Sequence, residues 1–188
     1  MIPVVTDVNK CGKQEQDLFS WEFEHMRKIR LTGQITDMVA DEVRAKLEYL
    51  DEKNHEDIIM YINSPGGSVT AGLSIMDAMN RCKSDIKTVC TGIGASMGAF
   101  LVACGTKGKR AIEHNAELMI HQPLGGAYGQ ASDVERTAEH MCKVKKRLNT
   151  ILARNTGRDI KQIVVDTDRD YYLSAEEAVE YGLVDRII

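Results

Sequence analysis

A unit made of an apolar strand, a glycine-rich turn and a helix occurs twice in succession, and it restricts the possible folds more than any other feature. The first unit has an apolar run at residues 58–62, a turn at residues 66–67 and a helical pattern behind it. The second has residues 86–91, then Ser96, then an apolar helix over residues 97–104. Two such units predict an α/β fold with a mostly parallel sheet and crossover helices. Both turns should lie at the carboxyl edge of that sheet, where sites of α/β proteins cluster.

The length and charge of the chain exclude several classes of protein. The 188 residues suit one domain with a sizeable core, and the net charge of −4 argues against nucleic acid as a partner. No apolar run is long enough to cross a bilayer, and the first residues lack the basic-then-apolar pattern of a signal segment. We therefore expect a single-domain cytoplasmic protein with no membrane or nucleic-acid partner.

The cysteines and histidines predict neither disulfides nor a metal. The five cysteines are scattered, form no closely spaced pair and are interpreted as reduced thiols, mostly small core residues. They are Cys11, Cys82, Cys90, Cys104 and Cys142. The five histidines are far apart and lack the spacing of metal ligands, so we expect no metal and no cofactor.

Ser96 is the first candidate for chemistry, because it lies on a predicted strand-to-helix turn among small residues. Such a turn exposes a hydroxyl, and the N–H groups of Gly67 and Met97, from neighbouring turns, can converge on one oxygen as an oxyanion hole. The alternative is a buried serine needed for packing, beside glycines that only make a tight turn. A phosphate cradle is disfavoured, because the lysine of such loops is absent.

Two later residues are candidates for a cleft or a half-buried site. His121 ends an apolar strand predicted at residues 117–120, directly before Pro123 and two glycines, which places it at a sheet edge or cleft. A structural, hydrogen-bonded histidine is the alternative. Asp170 borders an apolar run at residues 171–173, so its carboxylate could face a half-buried site.

The two ends of the domain have different patterns. Residues 1–16 are weakly patterned, and we expect a mobile arm or loop before a short helix that begins after Asp17. Residues 131–155 carry one long apolar stripe, which predicts a helix of roughly 35 Å. That helix either lies flat across the sheet or extends beyond the core to meet another subunit. Other predicted elements are strand 29–31, helix 37–53, helix 159–165, a helix opened by a capping box at Ser174 and ended by Gly182, and a strand-like tail at residues 183–188.

Several motifs, in one order along nearly the whole chain, resemble the proteolytic subunits of Clp proteases, the ClpP family of serine peptidases. They are Tyr61-Ile62-Asn63-Ser64-Pro65-Gly66-Gly67, Gly94-Ala95-Ser96-Met97-Gly98-Ala99-Phe100, Met119-Ile120-His121-Gln122-Pro123-Leu124-Gly125-Gly126, Gly129-Gln130-Ala131-Ser132-Asp133, Asp168-Arg169-Asp170-Tyr171-Tyr172-Leu173-Ser174-Ala175 and Glu177-Ala178-Val179-Glu180-Tyr181-Gly182-Leu183-Val184-Asp185.

The resemblance implies roles for individual residues. Ser96 would be the nucleophile, His121 the general base and Asp170 the acid that orients the base. Gly67 and Met97 would donate the oxyanion-hole N–H groups. The resemblance also implies a contact between rings made by Gln130 and Arg169.

The resemblance further implies a crotonase-like ββα spiral with a protruding handle, a strand plus a long helix, made by residues 125–155. Family members stack two heptameric rings through the handle and enclose the active sites in a chamber. An AAA+ unfoldase feeds in unfolded protein using ATP, and the peptidase itself needs no cofactor. The N-terminal arm of residues 1–16 would match the family's axial loop only loosely, with little or no propeptide.

This chain departs from the family where the unfoldase is expected to dock. Arg81 stands where an aromatic residue is usual, and Ala111 and Glu113 stand where bulky apolar residues are usual. We therefore expect weak docking, with a second ring built from a more typical paralogous subunit as one solution. Two other function classes stay open: an acyl-CoA enzyme of the crotonase fold, and a catalytically silent ring subunit.

Overall fold

A computed structural model describes residues 2–9 and 12–188. The chain opens with a two-stranded antiparallel hairpin, β1 (Val4–Asn9) paired with β2 (Gly12–Asp17). The expectation of a mobile arm or loop did not include these strands; the β-branched residues of β1 favour an extended strand, and β2 supplies its partner. The correspondence with an axial loop stays a prediction, and its residues Lys10 and Cys11 lie outside the described residues.

The second sheet has seven strands and is mostly parallel, which confirms the prediction. The strands are β3 (Lys28–Thr32), β4 (Ile58–Ser64), β5 (Ile86–Ala95), β6 (Arg110–Ile112), β7 (Glu117–Ile120), β8 (Tyr171–Leu173) and β9 (Arg186–Ile187). Five of them lie in the order β3-β4-β5-β6-β9, and all four of these pairings are parallel. β5 is long enough to pair with β6 first and then, nearer its carboxyl end, with β7. β8 closes this corner by pairing antiparallel with β7.

Seven helices accompany the strands within the described residues. They are α1 (Leu18–Met26), α2 (Asp37–Lys53), α3 (Val69–Arg81), α4 (Met97–Ala103), α5 (Ala131–Thr156), α6 (Ile160–Asp166) and α7 (Ala175–Tyr181). The predicted Asp17 cap of α1, the capping box of α7 and its Gly182 stop are all present. Each cap satisfies backbone groups that a helix end leaves unpaired, which is why these boundaries could be predicted.

The core forms around α4, whose seven residues are all buried. This helix contacts β4, β5, β6 and β7, and it also packs against α3 and α5. Among the largest buried side chains are Ile29, Leu31, Leu47, Ile58, Met60, Ile62, Ile75, Leu101, Ile112 and Leu118. A helix with no exposed side is held on every face, so the residue directly before it is held firmly as well.

α5 has 26 residues and begins and ends close to the predicted positions. Its buried residues are Leu148, Asn149 and Leu152, all in the second half, so the first half extends beyond the core of this chain. Residues 121–130, which precede it, form no strand, and this corrects the strand expected as part of the handle. An extended segment becomes a strand only when another strand pairs with it, and this chain offers residues 121–130 no such neighbour.

Four cysteines are free thiols, and Cys11 lies outside the described residues. Burial raises the pKa of Cys82 to about 11 and that of Cys90 and Cys104 to about 12, so these three stay protonated and unreactive. Across residues 2–9 and 12–188, no helix combines the length and apolar character of a membrane span.

Candidate active site

Ser96 joins the end of β5 to the start of α4 in a backbone conformation that is rare for a residue with a side chain. Its φ is 54° and its ψ is −120°, which costs roughly 1–3 kcal/mol. Two hydrogen bonds hold it in place: its N–H donates to the Met119 carbonyl at 2.8 Å, and its carbonyl accepts from the Phe100 N–H at 3.0 Å. The buried helix behind Ser96 and the strand β7 beside it therefore fix the direction of its side chain.

The glycine turn after β4 lies directly against Ser96. A Cβ built on Gly66 would lie 2.7 Å from the Ser96 Cβ and 2.8 Å from the Ala95 carbonyl oxygen. Gly67 has a φ of 153°, and a Cβ there would lie 2.2 Å from the Ile35 carbonyl oxygen. Both contacts are closer than a side chain tolerates, so the two glycines allow this turn to approach the serine.

The two N–H groups predicted for the oxyanion hole belong to this same corner. Met97 is the first residue of α4, and its nitrogen would lie 3.0 Å from a Cβ on Gly66. Gly67 lines the cleft that also contains Ser96 and His121. Neither N–H donates to another group among the hydrogen bonds of the described residues, so both are available to a ligand oxygen.

Strand pairing brings His121 and Asp170 to the serine. The parallel pairing of β7 with the end of β5 places His121, directly after β7, next to Ser96. The antiparallel pairing of Ile120 with Tyr171 places Asp170, directly before β8, next to His121. The His121 Nε2 lies 2.9 Å from the Ser96 Oγ, and the His121 Nδ1 lies 2.8 Å from the Asp170 Oδ1. The three predicted side chains thus form one hydrogen-bonded chain.

The hydrogen-bonded histidine and aspartate differ in burial. The His121 side chain is 11% exposed and the Asp170 side chain 57%. With its Nδ1–H donating to Asp170, the ring presents an unprotonated Nε2 that can accept the Ser96 hydroxyl proton. Such a set can activate a serine for attack on a carbonyl carbon.

A second network, not predicted from the sequence, holds the segments that carry the histidine and the aspartate. The Gln122 Nε2 donates to the Asp168 carbonyl at 2.7 Å, and the Lys145 Nζ donates to the Gln122 Oε1 at 2.8 Å. The Lys145 ammonium also lies 3.5 Å from the Asp168 Oδ1. Gln122 follows His121 directly and Asp168 precedes Asp170 by two residues, so this network links α5 to both. Nothing in the sequence marks Lys145 among the other lysines of α5.

A cleft of about 370 Å³ opens over the serine, and a narrower pocket of about 20 Å³ lies behind it. The cleft is lined by Gln34, Pro65, Gly66, Gly67, Val69, Ser96, Met119, His121, Pro123 and Leu124. The pocket shares Val69, Ser96, His121 and Pro123 and adds Met97, Phe100, Ile120, Leu148, Asn149 and Leu152. Another cleft, near Arg110 and Arg154, contains none of the predicted site residues. In the sequence, the one sign of this pocket was that a polar residue, Asn149, lies directly beside Leu148 of the apolar stripe.

The remaining predicted residues lie away from the serine. Gln130 is the N-cap of α5 and is exposed, and the Arg169 side chain is 91% exposed beside Asp168. Arg81 forms an ion pair with Glu48 at 3.0 Å, whereas Ala111 is only 1% exposed within β6. The described residues contain no group of three or more His, Cys, Asp or Glu side chains that could hold a metal ion.

A comparison with known families identifies the family of this chain. A family model described as Clp protease matches residues 11–188, which is nearly the whole chain. The match spans both glycine turns, the three hydrogen-bonded side chains and the long helix. The chain therefore belongs to the Clp protease family and is a peptidase of the Clp type, the proteolytic subunit.

Proposed function

We propose that the chain is a serine endopeptidase in which Ser96 is the nucleophile, His121 the general base and Asp170 the residue that orients the base. The observation that carries the proposal is the continuous hydrogen-bonded path from the Ser96 Oγ through His121 to Asp170, with distances of 2.9 Å and 2.8 Å. The free N–H groups of Gly67 and Met97 beside it support a role as an oxyanion hole.

In the first half of the reaction, the Ser96 Oγ attacks the carbonyl carbon of the peptide bond, and its proton passes to the His121 Nε2. The negative charge that develops on the carbonyl oxygen accepts hydrogen bonds from Gly67 and Met97. Asp170 stabilises the imidazolium without taking its proton. The imidazolium then gives the Nε2 proton to the leaving amine, the C–N bond breaks, and an ester to Ser96 remains.

In the second half, a water molecule attacks the ester carbon while the His121 Nε2 accepts its proton. The same two N–H groups bind the second oxyanion. Collapse returns the proton to the Ser96 oxygen and releases the new carboxyl end of the peptide. All of these steps use side chains and backbone of this chain alone.

We also propose that the subunit works in two stacked heptameric rings that enclose the sites, cleaves unfolded protein delivered by an AAA+ unfoldase, and acts in the cytoplasm. The family implies rings and AAA+ partners in general. The overhang of α5 and the exposure of Asp170 and Arg169 support a further subunit at this corner. We assign the ring contact to Gln130, Arg169 and the handle of residues 125–155, within a crotonase-like spiral.

Docking of the unfoldase is proposed to be weak on rings built from this subunit alone. Arg81 is paired with Glu48, and an apolar loop that covered this pair would remove both charges from water. Glu113 is exposed and adds a further carboxylate, whereas Ala111 is buried and contributes little surface. A partner ring made of a paralogous subunit with apolar side chains at these positions would dock more tightly.

A docking experiment follows directly from these charges. Changing Arg81 to Phe together with Glu113→Leu should increase unfoldase-stimulated degradation of a folded substrate, with peptide hydrolysis unchanged. The exposed pair Lys53 and Glu24, changed in the same manner, is the control. Strong stimulation of the unmodified assembly, with no gain from the double change, contradicts weak docking.

The catalytic proposal is tested by reaction with a fluorophosphonate that labels activated serines. The purified chain should be labelled at Ser96 and should hydrolyse a short fluorogenic peptide, and Ser96→Ala should lose both activities. Native mass measurement on the same sample reports the ring assembly. An assembled, folded protein that takes no label would show a silent subunit instead of an active peptidase.

A further inference from the structure

A second cleft, of about 250 Å³, lies where α4 and α5 end and β5 begins. Since Ser96 joins the other ends of β5 and α4, this cleft and the one over the serine open at opposite ends of these elements. Its lining includes three cations, Lys107, Arg110 and Arg154, and none of the described residues in the lining is a carboxylate. We call it the basic cleft, and it contrasts with a chain whose net charge is −4.

Arg110 is the buried cation of the basic cleft, and its charge is balanced. Its side chain is 4% exposed. The Nε and Nη2 of Arg110 donate to the Asp185 carboxylate at 3.0 and 2.6 Å, and its Nη1 donates to the Asn155 carbonyl at 3.0 Å. These bonds fix the guanidinium in the wall of the cleft. The charge that is available to a ligand therefore comes from the other two cations.

Lys107 and Arg154 are exposed and supply that charge. Within the described residues neither side chain forms an ion pair, and the Arg154 Nε donates to the Asn155 Oδ1 at 3.4 Å. The positive charge of Arg154 also reaches the wall of the cleft: burial raises the pKa of Cys104 to about 12, and Arg154 acts against this rise.

The carboxylates beside the basic cleft are paired with other cations. Asp85 lies 3.5 Å from the Thr106 hydroxyl of the lining, and its Oδ2 pairs with the Lys109 ammonium at 2.7 Å. Asp185 is paired with Arg110. Both carboxylates are therefore neutralised, and the cleft keeps a net positive charge.

The basic cleft adjoins the surface where the AAA+ partner is proposed to dock. Asn80 of its lining directly precedes Arg81, and Arg110 directly precedes Ala111. Arg81 is paired with Glu48, so the apolar contact proposed at that surface is weak. A partner bound there also faces the unpaired cations of the cleft, and the protein group that pairs with such cations is a carboxylate.

We infer that the basic cleft binds an acidic segment of the AAA+ partner, whose aspartate or glutamate carboxylates pair with Lys107 and Arg154. The inference rests on the proposed function and names the chemistry of a second contact with that partner. Ammonium and guanidinium groups form charge-assisted hydrogen bonds with carboxylates. Because the chain as a whole is acidic, such a segment is repelled elsewhere on the surface, so the cleft determines where it binds.

The first test measures binding of a fluorescent oligoglutamate peptide by anisotropy, on the Ser96→Ala assembly so that the peptide is not cleaved. Lys107→Gln together with Arg154→Gln should weaken binding about tenfold, or about threefold for each exposed ion pair. Lys53→Gln with Lys161→Gln removes the same charge from exposed cations outside the lining, and this matched control should retain the affinity. A rise in salt from about 0.05 to about 0.3 M should weaken binding by the intact cleft more than by the double variant.

The second test uses a complex reconstituted with an AAA+ unfoldase that stimulates the wild type. The double variant at Lys107 and Arg154 should need about tenfold more unfoldase for half-maximal degradation of a folded substrate. An unchanged requirement overturns the inference, and so does equal binding of oligoglutamate by the double variant and its control. Equally tight binding of single-stranded oligothymidylate also overturns it, because the cleft would then recognise phosphates.

Two further results separate this inference from the proposed function. Oligoglutamate binding by the intact cleft that does not change with salt overturns the inference even if the double variant does not fold. A wild-type assembly that no unfoldase stimulates contradicts the proposed partner itself. A stimulated enzyme whose unfoldase requirement does not depend on Lys107 and Arg154 contradicts the role of the basic cleft alone.

Discussion

The two halves of the candidate site are held in place by different means. Ser96 and the glycine turn beside it are held by backbone hydrogen bonds, a buried helix and close contacts between main-chain atoms. His121 and Asp170 meet through side chains, and the Asp170 carboxylate is largely exposed. The nucleophile half is therefore part of the core, whereas the histidine–aspartate half depends on surface contacts that a neighbouring subunit can alter.

The largest effect is expected from Asp170→Asn, which removes the charge of the exposed half. The amide no longer stabilises the imidazolium and favours the wrong tautomer of His121, so kcat should fall by about 10³- to 10⁴-fold near neutral pH. Because Asp170 lies at the surface, the thermal midpoint should stay within about 2 °C of the wild type. A variant within tenfold of the wild-type kcat would assign the orientation of His121 to another group.

Gly66→Ala tests the buried half and should affect both activity and stability. The added methyl group collides with the Ser96 Cβ and the Ala95 carbonyl, so we expect a loss of about 100-fold or more in peptide hydrolysis together with a lower thermal midpoint. Gly108→Ala is the matched control, since Gly108 also has a positive φ of 85° but no atom within 4 Å of the added methyl. Equal losses in both variants would attribute the effect to backbone strain and not to the contact with Ser96.

Arg169→Ala tests whether a neighbouring subunit completes the exposed half. Within the described residues, the contact of the Arg169 guanidinium is a 3.9 Å ion pair with Asp168, so this planar group is available to acceptors across the ring contact. We expect more single rings by native mass measurement, with peptide hydrolysis at least about fivefold lower at equal protomer concentration. Lys161→Ala, another exposed cation, on α6, should change neither. If Arg169→Ala forms fully active double rings, the ring contact at Arg169 does not influence the site at Asp170.

Lys145→Met should give a smaller loss, because Lys145 acts through Gln122 and Asp168. Removing the ammonium weakens the positions of His121 and Asp170, and we expect kcat to fall about three- to tenfold with KM nearly unchanged. The rate of fluorophosphonate labelling at Ser96 should fall in parallel. Lys46→Met, whose ammonium pairs with Glu42 on α2, is the control. If the two variants have the same kcat, the network does not position the site.

The smallest expected effect is on stability and concerns Asp51. Backbone N–H groups hold the carboxylate of Asp51, whereas a side chain holds that of Asp170. Burial by itself would raise the pKa of Asp51, but hydrogen bonds from Ser84 and Lys83 outweigh it and lower the pKa to about 2. A carboxylate with a lowered pKa stabilises the fold above about pH 4, and that contribution is lost as the pH falls towards 2.

Urea unfolding at pH 5 and pH 2, at one protomer concentration, should show this loss. The difference in unfolding free energy between the wild type and Asp51→Asn should shrink by about 1–2 kcal/mol over that range, with peptide hydrolysis at neutral pH unchanged. Asp41→Asn, an exposed carboxylate on the same helix, should show no such change. A constant difference for Asp51→Asn would mean that these hydrogen bonds do not favour the charged form of Asp51 in the folded protein.

The contrast between the two halves also explains what could be predicted from the sequence. Local signals such as the Asp17 cap, the Ser174 capping box and the glycine turns are short-range, and the elements that they bound were predicted well. The hairpin of β1 and β2 was missed, because β2 contains no apolar side chain that marks it as the partner of β1. The pairing of β7 with the end of β5, beyond the part that pairs with β6, depends on contacts between residues far apart in the sequence. No local pattern predicts it.

The site residues differ in the same way, because local patterns predict some of them and contacts between distant positions of the sequence determine the others. Ser96, Gly67 and Met97 follow from a local strand–turn–helix pattern, whereas the joining of His121 to Asp170 across 49 positions of sequence became an expectation only through the family resemblance. Lys145 and Asn149 were not predicted to matter. One is a lysine among several on an exposed face, and the other is a polar residue beside an apolar stripe.

The antiparallel pairing of β7 with β8 has a consequence for the order in which the protein is made. Ser96 and His121 are synthesised first, and Asp170 and β8 emerge from the ribosome only after the whole of α5. Until Tyr171 pairs with Ile120, no carboxylate is held beside the histidine ring. A growing chain therefore contains the proposed nucleophile and base before it contains the carboxylate that is proposed to orient the base.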